Sequence, residues 1–161
     1  MADFDPAVAK TLIREGGARF TDNPDDHGGA TKYGISQRAY PNVDIANLTE
    51  DQAKAIYKQD YWDKVSGDKV KSQAVAESIF DTAVNMGVTT ATKLVQMTLD
   101  IGIDGKFGPD TLKAANAIDE KEFLAEFTLA KIARYAAICN KDRTQSKFLL
   151  GWINRSLGGA A

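Results

Sequence analysis

The sequence predicts a mostly α-helical chain, six or seven helices with one small β element near the N-terminus. Apolar residues recur at i, i+3 or i+4 and i+7 along most of its length, and cap and stop residues bracket these runs. A single stretch, residues 18–36, breaks the helical period with glycines and aspartates.

The first helix is expected to take Asp5 as N-cap and Pro6 as its first helical residue. Val8, Leu12 and Glu15 then share a face, and Gly16-Gly17 ends the helix. Glu15 thereby leaves the last turn on the side facing the core, where a carboxylate is poorly placed for a structural role because helix C-termini favour cations. Residues 18–36 read as a short hairpin. Asn23-Pro24-Asp25-Asp26 carries turn signals, and Gly28-Gly29 lets Thr31–Ile35 return alongside, which sets Asp26 and Thr31 across a cleft from Glu15.

Thr49 and Gln52 form a capping box that opens a second helix, with Ala53, Ile56, Tyr57 and Tyr61 on one face and an end near Trp62. Trp62 is either a core aromatic or a stacking platform for the apolar face of a ligand. Residues 73–87 are apolar on most sides and predict a central helix. Asp81 and Asn85, four apart on it, must find hydrogen-bond partners or line a wet cleft.

A fourth helix is expected over Thr90–Asp100 with Leu94, Met97 and Ile101 inward. The segment Asp100–Asp110 faintly resembles a calcium loop, but its third position is Gly102 and its twelfth is Thr111 instead of a bidentate glutamate. It reads as a tight turn, with Pro109 opening the next helix. Residues 119–140 carry the longest helical pattern, capped by Asp119 with Glu122 three later and lined by Leu124, Phe127, Ala130, Ile132 and Ile138. A last amphipathic helix over 144–156 places Phe148, Leu149, Trp152 and Ile153 inward and stops at Gly158-Gly159. No linker or repeat interrupts the chain, so 1–161 is expected to be a single domain.

Composition narrows the function. With 20 basic and 22 acidic residues the net charge is −2, which provides no basic field for nucleic acid. Cys139 is the sole cysteine and reads as a small buried apolar residue, not a nucleophile. His27 and Cys139 cannot assemble a zinc ligand set, no phosphate-binding Gly-x-x-x-x-Gly-Lys is present, and neither metal nor cofactor is expected. The N-terminus lacks a basic region followed by an apolar one, and no apolar run is long enough to span a bilayer. The expectation is a protein made in the cytoplasm without stable membrane association.

Carboxylates are the chemistry that remains. Glu15 on a core-facing helix end, Asp26 eleven positions later on a turn and Thr31 sixteen later suit a glycosidase. In such a site a protonated acid gives its proton to the leaving oxygen, while a second carboxylate and a hydroxyl stabilise an oxocarbenium-like transition state or orient a water.

These residues also carry a family resemblance. Glu15-Gly16-Gly17 followed by Asp26-x-Gly28-Gly29-x-Thr31-x-x-Gly34-Ile35 resembles the Glu-Gly-Gly signature of glycoside hydrolase family 108, the phage-type muramidases that serve as endolysins. Leu48-Thr49-x-x-Gln52-Ala53-x-x-Ile56-Tyr57, Tyr61-Trp62-Asp63 and Phe80-Asp81-x-Ala83-Val84-Asn85-x-Gly87 are similar to later blocks of that family. The region from Leu94 through Asp104-Gly105-x-x-Gly108-Pro109-x-Thr111-Leu112 resembles its C-terminal, predicted peptidoglycan-binding part. His27 stands where relatives often have proline.

The resemblance implies a lysozyme-like fold, with residues 1–90 as the catalytic part and 91–161 as a helical, peptidoglycan-binding-like part of the same unit. It implies hydrolysis of the β-1,4 bond between N-acetylmuramic acid and N-acetylglucosamine in peptidoglycan glycan strands. Glu15 would be the general acid, Asp26 would stabilise positive charge or position water, and Thr31 would orient the attacking water. Tyr61, Trp62, Asp81 and Asn85 are candidates for the saccharide cleft. A monomer that reaches the wall through a separate holin-like pore is the implied way of working. Two alternatives stay open: a lytic transglycosylase using one glutamate as acid and then base, and a non-catalytic wall-binding or scaffold domain.

Overall fold

The computed structural model describes residues 1–22 and 29–158. Within them the chain forms α1 (Phe4–Arg14), a hairpin of β1 (Thr31–Lys32) and β2 (Ile35–Ser36), then α2 (Glu50–Tyr57), α3 (Gln73–Met86), α4 (Val88–Thr98), α5 (Pro109–Ala115), α6 (Glu120–Lys141) and α7 (Leu149–Gly158). This is the mostly helical, lysozyme-like architecture with one small β element expected from the sequence.

The β lobe holds two antiparallel pairings. Thr21 and Thr31 form an isolated antiparallel bridge, which lays the chain around Thr21 alongside β1. A tight return joins β1 to β2, pairing Thr31 with Ser36 and Lys32 with Ile35. Its two-residue turn is Tyr33-Gly34, both at positive φ (54° and 75°), as a type I′ hairpin requires. The predicted turn residues Asn23 to Gly28 lie outside the described residues.

Helix α3 is central: α1, α4, α6 and the segment after α2 all pack on it. Its buried face includes Val75, Ile79, Phe80 and Ala83. Phe80 meets Phe4 of α1 edge-on at 6.0 Å and Trp62 at 5.5 Å, which joins three elements in one aromatic cluster. That contact also explains where α1 begins. Phe4 is already helical and Asp3 is the N-cap, its carboxylate accepting from the Asp5 N–H, so Asp5 and Pro6 fall in the first turn and not at its edge. Pro6 is tolerated there because N–H groups in the first turn have no intrahelical partner in any case.

The capping box of α2 forms as predicted, Thr49 accepting from Gln52 and Gln52 accepting from the Thr49 N–H. The helix then widens into a π turn, Lys58–Trp62. The changed pitch rotates Trp62 into the core, where it is 0% exposed and donates its indole N–H to Asp68 Oδ1 at 2.6 Å. Gly67 lies flat on the ring; a Cβ there would come within 2.3 Å of it. Trp62 is therefore a core residue with no face for a sugar, which corrects its place among the cleft candidates.

Three further expectations shift. Met97 is exposed because α4 turns Ala91, Leu94 and Val95 inward and buries Gln96 beside them. Phe148 is exposed because residues Arg143–Phe148 form a 3-10 turn and α7 starts only at Leu149. On α6 the inward stripe is Phe123, Phe127, Lys131, Tyr135 and Cys139, one residue every fourth, while Leu124, Ala130, Ile132 and Ile138 flank it half-buried. Cys139 is buried, as its apolar reading required.

The later helices are tied to the entrance of α3. Asn116 accepts from the Lys71 N–H and donates to the Lys69 carbonyl, and the Ser72 hydroxyl donates to Glu120. No helix of the described residues is long and apolar enough to cross a membrane.

Candidate active site

Glu15 is the C-cap of α1, its N–H bonded to the Thr11 carbonyl, and Gly16 and Gly17 follow at φ 88° and 58°. The left-handed pair turns the chain sharply off the helix, so Glu15 stands at a rigid end instead of on a continuing face. The Gly17 carbonyl accepts from the Tyr33 N–H at 3.1 Å, which docks the hairpin turn onto the helix end. Tyr57 braces that turn from below, donating its buried hydroxyl to the Tyr33 carbonyl at 2.8 Å. Burial first, and then the nearby Glu15 carboxylate, push the Tyr57 phenol well above its ordinary pKa, so it stays a donor.

From the other side comes a residue distant in the chain. Arg155 of α7 places Nη1 and Nη2 each 3.3 Å from Glu15 Oε1. The same guanidinium grips Asp81 more tightly, Nε to Oδ2 at 3.1 Å and Nη2 to Oδ1 at 2.8 Å, a bidentate fork. Asp81 is also held by Arg14 at 2.8 Å. Burial works against the charge on Arg155, but its bonds and attraction to Asp81 and then Glu15 outweigh that and raise its pKa. Glu15 and Asp81 are thus two carboxylates joined through one arginine. Among the described residues no hydrogen bond reaches the second oxygen of Glu15, whose side chain is 24% exposed.

Residues 8–87 match the family model described as Glycosyl hydrolase 108, and residues 87–157 match that of a predicted peptidoglycan domain. The chain belongs to glycosyl hydrolase family 108. It is a glycoside hydrolase acting on peptidoglycan. The solved structure of Brucella abortus SagA is similar to it, with a TM-score of 0.73 and 27% identity over 98% of this chain and 95% of that one. No curated protein matches the chain.

On this family 108 framework the sequence candidates separate. Asp26 and His27 lie outside the described residues. Thr31 sits on β1, two residues before the turn that leans on Glu15; its hydroxyl donates weakly to the Gly29 carbonyl at 3.4 Å and makes no hydrogen bond to Glu15. Tyr61 is half-buried beside Tyr57, ring centroids 5.8 Å apart. Asp81 finds its partners in Arg14 and Arg155, and the Asn85 amide oxygen accepts from the Tyr135 hydroxyl at 2.7 Å. The polar pair of α3 therefore faces α6 and α7, and Arg155 is the member of the site that sequence reading missed.

A cavity of about 340 Å³ lies behind the ion pairs, lined by Arg14, Asp81, Glu77, Ser78 and Lys131 among others. Glu15 does not line it, so this cavity is not the groove at the acid. Among the described residues no group of three or more His, Cys, Asp or Glu is arranged to hold a metal.

Proposed function

We propose that the chain is an N-acetylmuramidase that hydrolyses the β-1,4 bond between N-acetylmuramic acid and N-acetylglucosamine, with Glu15 as general acid. The observation that carries this is the setting of Glu15, a partly exposed carboxyl on a rigid helix end with one oxygen on a guanidinium and the other, among the described residues, open. The open oxygen is where a proton destined for the glycosidic oxygen would sit. Asp26 would stabilise the positive charge that develops on the sugar or help position water. Thr31, whose hydroxyl among the described residues has only a weak backbone partner, would orient the attacking water. Tyr61 and Asn85 remain the outer candidates for saccharide contacts.

The endolysin role belongs to the same proposal: a monomer acting on glycan strands of the wall, delivered by a separate holin-like pore. The match to a predicted peptidoglycan domain over 87–157 supports a wall substrate.

Glu15→Gln tests the proposal. The folded variant is expected to release no reducing ends from purified peptidoglycan, and a folded Glu15→Gln that still clears wall suspensions would overturn it. Asp26→Asn and Thr31→Ala should each cut turnover with little loss of stability; full activity in both would make that pair structural. Mass spectrometry of the products separates hydrolysis from transglycosylation, because anhydro ends lack one water.

A further inference from the structure

We infer that Arg155 is a positioning residue for the acid, so that the region matching the predicted peptidoglycan domain completes the active site begun by the glycosyl hydrolase region. The inference rests on Glu15 being the proton donor. Arg155 lies 140 residues from Glu15 and near the end of the second matched region, yet it contacts Glu15 directly. Helix α7 is held in place for this: Trp152 stacks on Tyr135 of α6 at 4.9 Å, with ring planes 19° apart.

The geometry assigns different duties to the two carboxylates. Asp81 takes the guanidinium with both oxygens at 2.8 and 3.1 Å and is itself anchored by Arg14, which fixes the plane of the fork. The remaining edge of that plane is aimed at Oε1 of Glu15 over two longer contacts of 3.3 Å. An arginine needed only to join α7 to α3 would be satisfied by Asp81 alone.

In the proton-transfer step, the C–O bond to the leaving sugar breaks with its electron pair going to the glycosidic oxygen, and the proton on the open oxygen of Glu15 moves to that oxygen. The carboxylate left behind carries a new negative charge beside Arg155. With Arg14, Arg155, Asp81 and Glu15 all ionised, the four groups sum to zero, whereas before transfer they carry one excess positive charge. A fixed guanidinium therefore favours the state after transfer over the one before it, a differential effect that accelerates the step. Among the described residues the other titratable groups facing the cluster are Lys10 on α1, Tyr57 on α2, Glu77 on α3, and Lys131 and Tyr135 on α6, and the variants below leave all five in place.

The test is steady-state kinetics on soluble, uncross-linked glycan strands, across pH, for wild type, Glu15→Gln, Arg155→Met, Arg155→Lys and Asp81→Asn. Arg155→Met is expected to lower kcat by about tenfold to a hundredfold with KM changed by less than about twofold, a range set by the loss of one preorganised charge contact. The alkaline limb of its kcat profile should move to higher pH, and Arg155→Lys should recover part of both effects. Arg155→Met with wild-type kcat and an unmoved limb overturns the inference, as does a change confined to KM, which would make α7 a substrate-binding element. Should Arg155→Met not fold, Asp81→Asn reads the same coupling. The whole charge of Arg155 then falls on Glu15, so the alkaline limb should move to lower pH, and an unmoved limb overturns the inference. Activity in Glu15→Gln would instead remove the proton-donor assignment beneath it.

Discussion

Gly34 is packed directly on Glu15: a Cβ added to Gly34 would lie 2.7 Å from the Cβ of Glu15 and 2.7 Å from the Tyr57 hydroxyl oxygen. Neither neighbour can retreat, since Glu15 caps α1 and Tyr57 is committed to the Tyr33 carbonyl. Gly34 also sits at φ 75°, where an L side chain is strained. Gly34→Ala is therefore expected to cost about 1–3 kcal/mol of stability, from the strain and the overpacking together. The larger effect should fall on lysis, because displacing the acid by about 1 Å costs on the order of a hundredfold in rate. Denaturant midpoints and release of reducing ends, measured on the same preparation, check both. An active, unaltered Gly34→Ala would show that the hairpin turn does not position the acid.

Lys131 offers a prediction about pH. Its ammonium is buried at 4% exposure, 3.4 Å from the Ser78 hydroxyl and over the Phe127 ring. Burial, aided by Arg14 and Arg155 and opposed by Asp81, lowers its pKa from the ordinary 10.5 to about 8. Below about pH 8 the group is charged in both folded and unfolded chains, and the folded state bears the full cost of burying it. Between about 8 and 10.5 the unfolded chain still holds the proton and the folded one has lost it, so this group makes stability rise with pH across that window. Lys131→Met keeps most of the volume and removes the charge, and should gain about 1–3 kcal/mol at pH 7. The difference from wild type should shrink towards pH 10.5, as urea midpoints across the window will report. A constant difference would place the cause in packing instead.

Much of the fold could be read from the sequence because its signals are local. Thr49 with Gln52 marks a helix start by its own hydrogen bonds, and Pro109 opens α5 because its missing N–H is an orphan there in any case. What stayed hidden depends on contacts across the chain. Periodicity placed Trp62 at a helix end, but only the π turn decides that the ring points inward. Asp81 and Asn85 announced that an apolar helix had polar partners without saying which, since an arginine on a short final helix looks like any solvated charge until α7 is packed. The Tyr33-Gly34 turn was missed for a similar reason. Its first residue adopts a left-handed conformation that tyrosine rarely takes unaided, held by the Gly17 carbonyl and by Tyr57. Glu15 stood out because a carboxylate at a helix C-terminus sits against the preference for cations there, while its partner Arg155 could not be read from the sequence.

The final prediction concerns the loop that faintly resembles a calcium site. Residues 100–108 are organised by one buried side chain, Gln96, at 2% exposure. Its amide nitrogen donates to Asp104 Oδ1 at 2.7 Å, and to the Lys106 carbonyl and the Thr111 hydroxyl at 3.1 Å each. Its oxygen accepts from the Asp104 and Gly105 N–H groups at 3.0 and 2.9 Å. An amide thus does from within what a cation does in a calcium loop: it gathers oxygens and orders the turn, so added calcium should leave the melting temperature unchanged. Gln96→Glu preserves shape and the two accepted bonds but loses all three donated ones, and it sets a second carboxylate beside Asp104. That variant is expected to lose about 2–4 kcal/mol near neutral pH, through unsatisfied acceptors and like-charge repulsion. Part of the loss should return as pH falls far enough to protonate the new carboxyl, which then donates one bond again. A Gln96→Glu protein with wild-type melting temperature at pH 7, or one stabilised by calcium, would mean that the loop is ordered by something other than the amide.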